Sequence, residues 1–346
     1  MKSYFDQHSS CGKGQMRGFT LVEMLVVIAI IGTLLSILTP ALIGIRRTAK
    51  KTREKNNIRQ VGVGWNLYSN SNLDGLLPGW LDVDVQTDDP AISSSWAVSY
   101  NFPDKHKVPP APQYAPDTEN IAGPWPWRLM SYLDYNLELV HGYLEEEATG
   151  ALDYSDPDVV ANAKDVGFHP AFGYNAYYIG GWWEITSNTV PPRPRPRYHS
   201  VRDAKTDVRL AVVARNSSHI KNPSRMIVFC SSANARRMTT SDDFEVPFEI
   251  DDDDFGSHYV VPPYLETTEI YHNPGRHQAD STKIAMVSGG AYGVPVARYN
   301  SQVALLHADL SVDAQTPGSL LDMRFWVNGA TGKRWQHTES ADTNYP

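Results

Sequence analysis

The 27 residues from Phe19 to Ile45 carry a single ionisable group, Glu23. As a helix rising 1.5 Å per residue the run is about 40 Å long, more than the roughly 30 Å hydrocarbon core of a bilayer. A cleaved secretory signal fits it poorly, because the apolar region of such a signal is about 7–15 residues and ends at a small-x-small site. Here Ala41-Leu42-Ile43 has Ile where a small residue is needed. A lipoprotein signal fails as well, since Cys11 precedes the apolar run. The run therefore reads as a retained single-pass membrane helix.

The charge around it is uneven. Residues 46–59 hold Arg46, Arg47, Lys50, Lys51, Arg53, Lys55 and Arg59 against Glu54 alone, and from position 60 onward 21 basic residues face 36 acidic ones. The chain is a basic collar joined to an acidic head, and its net charge of −8 excludes nucleic-acid binding driven by bulk charge. Aromatics at 11 % argue for a folded head, and 24 Pro with 24 Gly argue for one rich in loops. Two cysteines, Cys11 and Cys230, exclude a disulfide framework and a Cys-rich zinc site.

Beyond Pro40 the pattern predicts continued helix. Ile58, Val61, Trp65 and Tyr68 form an apolar stripe at helical spacing, weakened by Gly62 and Gly64, and Asp74-Gly75 is a turn signal that should end the helix near Ser71. Residues 72–346 then make the head. Val208–Ala214, Arg225–Cys230, Lys283–Val287 and Val303–His307 read as strands, Trp125–Leu133 as a short helix and Pro157–Lys164 as another. The expected fold class is α+β: a long N-terminal membrane and spine helix, 19–71, followed by a loop-rich mixed head.

A carboxylate in a spanning segment costs a few kcal/mol and is a functional hypothesis by default. Its context is Arg17-Gly18-Phe19-Thr20-Leu21-Val22-Glu23. This resembles the type III signal of type IV pilins and type II secretion pseudopilins. The resemblance implies cleavage by prepilin peptidase between Gly18 and Phe19, removal of a leader at 1–18, and N-methylation of Phe19. It makes Glu23 the fifth mature residue and Pro40 a helix-loosening proline. Physically, the ammonium created by cleavage and the Glu23 carboxylate are both costly in lipid unless paired. If neighbouring helices pack offset in a fibre, the carboxylate of one can meet the amine of the next. Unit charges about 4 Å apart gain roughly 4 kcal/mol at an effective dielectric near 20. The basic collar outweighs the leader, so the positive-inside rule alone would place the collar in the cytoplasm. The resemblance implies the reverse: leader inside, head in the periplasm or at the cell surface.

Several head segments also resemble one large group of bacterial pilin-like proteins: Asn56–Gly62, Gly75-Leu76-Leu77-Pro78, Trp125–Leu133, Phe172-Gly173-Tyr174-Asn175 and Asn222-Pro223-Ser224-Arg225. That group ends in a His, nine residues, then Asp-Gly. Tyr299 and Asp309-Leu310 keep the spacing with His and Gly replaced.

Enzyme chemistry has little footing. There is no His-Glu-x-x-His, no Gly-x-Ser-x-Gly and no phosphate-binding glycine loop. His258, His272 and His277 could hold a metal, but their spacing is unspecific, and Cys230 in an apolar strand reads as a buried inert thiol. Asp251, Asp252, Asp253 and Asp254 could supply oxygen ligands to Ca²⁺ or form a solvated acidic loop, and they lack the spacing of an EF-hand. Pro191–Arg197 and Val108–Pro116 should be polyproline II. Trp125, Trp127, Trp182 and Trp183 are either core or a sugar-stacking surface. The expectation is a non-enzymatic prepilin-like subunit of the inner membrane, with other pilin-like subunits as partners, that assembles into or decorates a type II secretion pseudopilus or related type IV filament. The alternative is a tethered module whose head binds polysaccharide or a secreted protein.

Overall fold

A computed structural model describes residues 21–81, 124–134, 136–141, 167–186, 193–196, 200–202, 209–236, 246–247, 256–265, 268–269, 271–272, 285–286, 291–299 and 301–335. The leader with Gly18 and Phe19, the expected helix at 157–164, the Val108–Pro116 segment, His277 and the Asp251–Asp254 run lie outside the described residues. The chain divides into two compact units between Arg47 and Thr48.

Helix α1 runs from Leu21 to Ser71 and continues through Pro40. Proline has no amide hydrogen, so the carbonyl of Ser36 has no backbone donor from the next turn. Every residue from Leu21 to Lys50 is exposed, and this apolar stretch is long and apolar enough to cross a membrane. From Glu54 onward one face is covered: Glu54, Asn57, Ile58, Val61, Gly62, Gly64, Trp65 and Ser69 are buried. The predicted stripe is therefore the core-facing side, and Tyr68 packs against its edge. The second half of the helix belongs to the same compact unit as the head. Helix α1 stops where Asp74-Gly75 predicts. Leu73 and Asp74 take left-handed φ of 53° and 64°, and the Asp74 amide returns to the Ser69 carbonyl at 3.0 Å.

Strands are numbered in chain order: β1 Trp80–Leu81, β2 Phe172–Tyr174, β3 Trp182–Thr186, β4 Arg193–Pro196, β5 Ile227–Arg236, β6 Ala291–Pro295, β7 Val303–His307 and β8 Val312–Gln315. The main sheet is antiparallel and built on β5, which pairs with β2, β6 and β7, while β8 pairs with β7. β5 is longer than the Arg225–Cys230 run predicts, because β6 extends its pairing from Ser232 to Arg236. In register, Phe229 lies between Tyr174 and Leu306, and Ser231 lies beside Phe172. Side chains two apart share a face, so these five residues line one side of the sheet. That side receives the helix: the indole N–H of Trp65 donates to the Tyr174 hydroxyl at 3.2 Å, which donates to the Leu77 carbonyl at 2.8 Å.

Gly62 and Gly64 set how closely the helix approaches. A Cβ at Gly62 would lie 2.6 Å from Leu306 Cδ2, and one at Gly64 would lie 2.6 Å from Leu133 Cδ2. The two residues that lower helix propensity are the ones that let the spine sit against the sheet and against the short helix. That short helix is Trp125–Leu129, extended by a 3₁₀ turn Met130–Leu133, as the sequence predicts. The Pro/Arg segment departs from expectation. Arg193–Pro196 is a strand rather than free polyproline II, antiparallel to β3 with Arg195 opposite Glu184 and Arg193 opposite Thr186. Alternating proline makes this possible, since amide hydrogens two residues apart point the same way. Arg193 and Arg195 donate to β3, and the prolines turn donor-free positions to the outer edge.

The β7–β8 hairpin contains Asp309-Leu310, the counterpart of the Asp-Gly signature. Leu310 has φ of 67°, the left-handed conformation that glycine adopts without strain, and Asp309 accepts hydrogen bonds from the Ser311 amide at 2.9 Å and hydroxyl at 2.5 Å. Here a leucine holds the left-handed position. A side chain at a left-handed position costs about 1 kcal/mol. Leu310→Gly and Leu310→Ala both lose the leucine contacts, but only Ala keeps the strained Cβ. The Gly variant is expected to be the more stable by about 1 kcal/mol, measured as the difference between the two variants' thermal melts.

Candidate functional site

Two places in the chain can do something beyond packing. The first is the start of helix α1. Glu23 lies on the exposed surface of its first turn, within a run of exposed apolar residues that continues to Ile45. A negative charge at a helix N-terminus is favoured by the helix dipole, so the carboxylate sits where the helix itself tolerates it best. No other acidic residue follows until Glu54.

The second is the clasp between helix α1 and the sheet. Glu54 is the single acid of the basic collar and stands one turn before Ile58 on the buried stripe. Its carboxylate accepts the Ser231 hydroxyl at 2.8 Å and faces the Arg298 guanidinium at 3.3 Å. Arg298 also donates to the carbonyl of Ala171 at 2.8 Å and to that of Ser232. One guanidinium thus ties the helix to β2 and β5. Burial holds the Glu54 carboxyl above the usual carboxylate range, with Arg298 and Ser231 pulling it back. Arg53 pairs with Glu138, and Lys51 donates to Gln302. Sequence reasoning sees Glu54 only as a lone acid among bases. Its stripe position was the available signal, whereas Arg298 offers none.

The remaining candidates are taken up by structure. Trp125, Trp127 and Trp183 are buried, and Trp182 is stacked between Trp80 at 5.1 Å and Tyr177 at 5.0 Å, so these faces belong to the core and its margin. Cys230 is fully buried at the centre of β5, where desolvation pushes its thiol up and leaves it inert. His258 is buried against Trp80, Phe168 and Tyr259, and burial lowers its pKa to about 3, so it is neutral. His272 lies in a short strand with Tyr271. Among the described residues no three His, Cys, Asp or Glu side chains come together as a metal site.

With this geometry in place, residues 14–39 match the family model for the prokaryotic N-terminal methylation motif. The chain carries a prepilin-type signal, as type IV pilins and pseudopilins do. The match takes in Gly18, Phe19 and Glu23 and the apolar run to Thr39. No curated protein and no solved structure matches the chain. The signal and the one membrane-length apolar helix among the described residues together fit anchoring in the inner membrane.

The clasp yields a test with a defined pH sign. Removing one partner of a buried ion pair costs about 3–5 kcal/mol, because the other charge is left unpaired. Arg298→Met is therefore expected to destabilise the head by about 3 kcal/mol at pH 7. Glu54 has its folded pKa raised above its unfolded value, so the folded state holds the proton more tightly and stability falls as pH rises between the two. Without Arg298 that folded pKa rises further. The penalty of the variant should then shrink as pH is lowered from 7 toward 5. Thermal melts of both proteins across that range check it, and a penalty that stays constant or grows on acidification would contradict an unpaired Glu54.

Proposed function

We propose that this protein is a type IV pilin-like subunit, cut by prepilin peptidase after Gly18 and N-methylated at Phe19, whose helix anchors it in the membrane and packs with the helices of other pilin-like subunits. The finer assignment is a subunit that joins or decorates a type II secretion pseudopilus or related type IV filament, its head on the far side of the inner membrane from the leader. The observation that carries this reading is the coincidence of the methylation motif at 14–39 with an exposed apolar helix bearing Glu23 in its first turn. The motif supplies the new amine, and Glu23, four residues on, supplies its partner. A fibre in which each helix is displaced against the next satisfies both charges, whereas a register that leaves either one unpaired in lipid is penalised.

The expected mature N-terminus is methyl-Phe19, found by intact-mass and N-terminal sequencing; Gly18 replaced by a bulky residue should leave the leader attached. Glu23→Ala should leave cleavage and membrane insertion intact and lower the yield of crosslinked oligomer several-fold. Oligomer at the wild-type level in that variant would count against charge pairing as the assembly device.

A cleft favours a second reading, a tethered binding module for polysaccharide or a secreted protein. Its volume is about 460 Å³, and it lies at the C-terminal end of helix α1, lined by Tyr68, Leu76, Trp183, Arg215, Asn216 and His219. Calcium at Asp251–Asp254 is a separate proposal resting on their carboxylates alone. If the ion binds the folded state, chelation lowers the melting temperature by mass action. An unchanged melt at millimolar Ca²⁺ would remove it.

A further inference from the structure

We infer that Arg46 and Arg47 form a docking surface for anionic phospholipid headgroups in the membrane leaflet on the head's side. This rests on the anchor reading above. Glu23 and Arg46 are 23 residues apart, so along a helix they are separated by about 35 Å. That matches a hydrocarbon core of roughly 30 Å crossed at a modest tilt. With Glu23 at one interface, Arg46 and Arg47 emerge at the depth of the opposite headgroups.

The charges at this depth are all of one sign. The sequence holds no acidic residue between Glu23 and Glu54, so Arg46 and Arg47 have no carboxylate a turn away on their own helix. Arg46 and Arg47 are exposed. Further along the helix, Lys51 donates to Gln302 and Arg53 to Glu138. Glu54, the first acid, is turned inward to Ser231 and Arg298. The collar is thus divided. Its distal part is used in packing, and Arg46 and Arg47 stand where phosphate is densest. A juxtamembrane Lys or Arg strengthens binding to an anionic surface by roughly fivefold each. Depth favours lipid phosphate over the acidic head of a neighbouring copy, because a lipid headgroup occupies this level at every position along the membrane.

The test uses the full chain in neutral detergent doped with equal phosphatidylglycerol and phosphatidylcholine of the same acyl length, read by native mass spectrometry. Wild type should retain phosphatidylglycerol over phosphatidylcholine by at least about tenfold. The double variant Arg46→Gln, Arg47→Gln should lose most of that preference. The double variant Lys221→Gln, Arg334→Gln, with the same charge change on exposed head residues, should keep it. The leader is common to all three proteins, so its lysines cancel. Equal retention of both lipids by wild type, or an undiminished preference in the collar variant, overturns the proposal. So does a collar variant that loses carbodiimide crosslinking between copies while its lipid preference is unchanged, since the partner is then an acidic head. Recovery of wild type in phosphatidylcholine nanodiscs tests the anchor separately. Failure there removes the anchor reading and this inference with it, whereas insertion without lipid preference removes this inference alone.

Discussion

The Glu54 carboxylate is nine-tenths removed from water, and everything distinctive about the head's attachment follows from how that charge is satisfied. Desolvating a carboxylate is expensive, and only a well-placed cation with further hydrogen bonds offsets it. Arg298 meets this need while spending its other N–H groups on the carbonyls of Ala171 and Ser232. The helix, β2 and the middle of β5 are therefore tied through one guanidinium. An apolar stripe alone would let a helix slide or rotate by a residue. A buried charge with one partner within reach penalises every register but one.

Close approach is the second requirement of the same clasp. The helix reaches Ser231 because Gly62 and Gly64, about two and nearly three turns on, let Leu306 and Leu133 press against its backbone. Helix propensity is lost at both positions, by roughly 1 kcal/mol each. Burial of Ile58, Val61 and Trp65, at roughly 1.5–3 kcal/mol per side chain, outweighs that loss. A prepilin-type subunit has to hold its head on a helix whose other half has left the aqueous phase, and here the two halves are chemically distinct. Residues 21–45 are apolar and exposed, residues from Glu54 onward have one buried face, and the basic collar separates them.

Trp182 and the Pro/Arg strand illustrate how tertiary context reassigns residues with a ready functional reading. Adjacent tryptophans suggest a sugar platform, yet stacking on Trp80 and Tyr177 occupies both faces of Trp182. Alternating Arg-Pro suggests a free polyproline segment, yet alternation is also what an edge strand tolerates, and β3 provides the partner.

The sequence by itself determined the long apolar helix, the prepilin-type signal, the end of the helix at Ser71 and the buried stripe, because each depends on periodicity or on residues within a few positions of one another. It also foresaw β7 residue for residue, the first part of β5 and the short strands Arg209–Ala211 and Ala285–Met286, since alternation and β-branched runs are local, but it did not foresee the other strands of the head. It could not foresee the clasp. Glu54 and Arg298 are 244 residues apart, and nothing near Arg298 marks it as a buried counter-charge. Nor could it separate Gly62 and Gly64 as helix-weakening residues from Gly62 and Gly64 as the contact that seats Leu306 and Leu133. Local preference and packing act there in opposite directions, and only the positions of the neighbours in space decide which prevails.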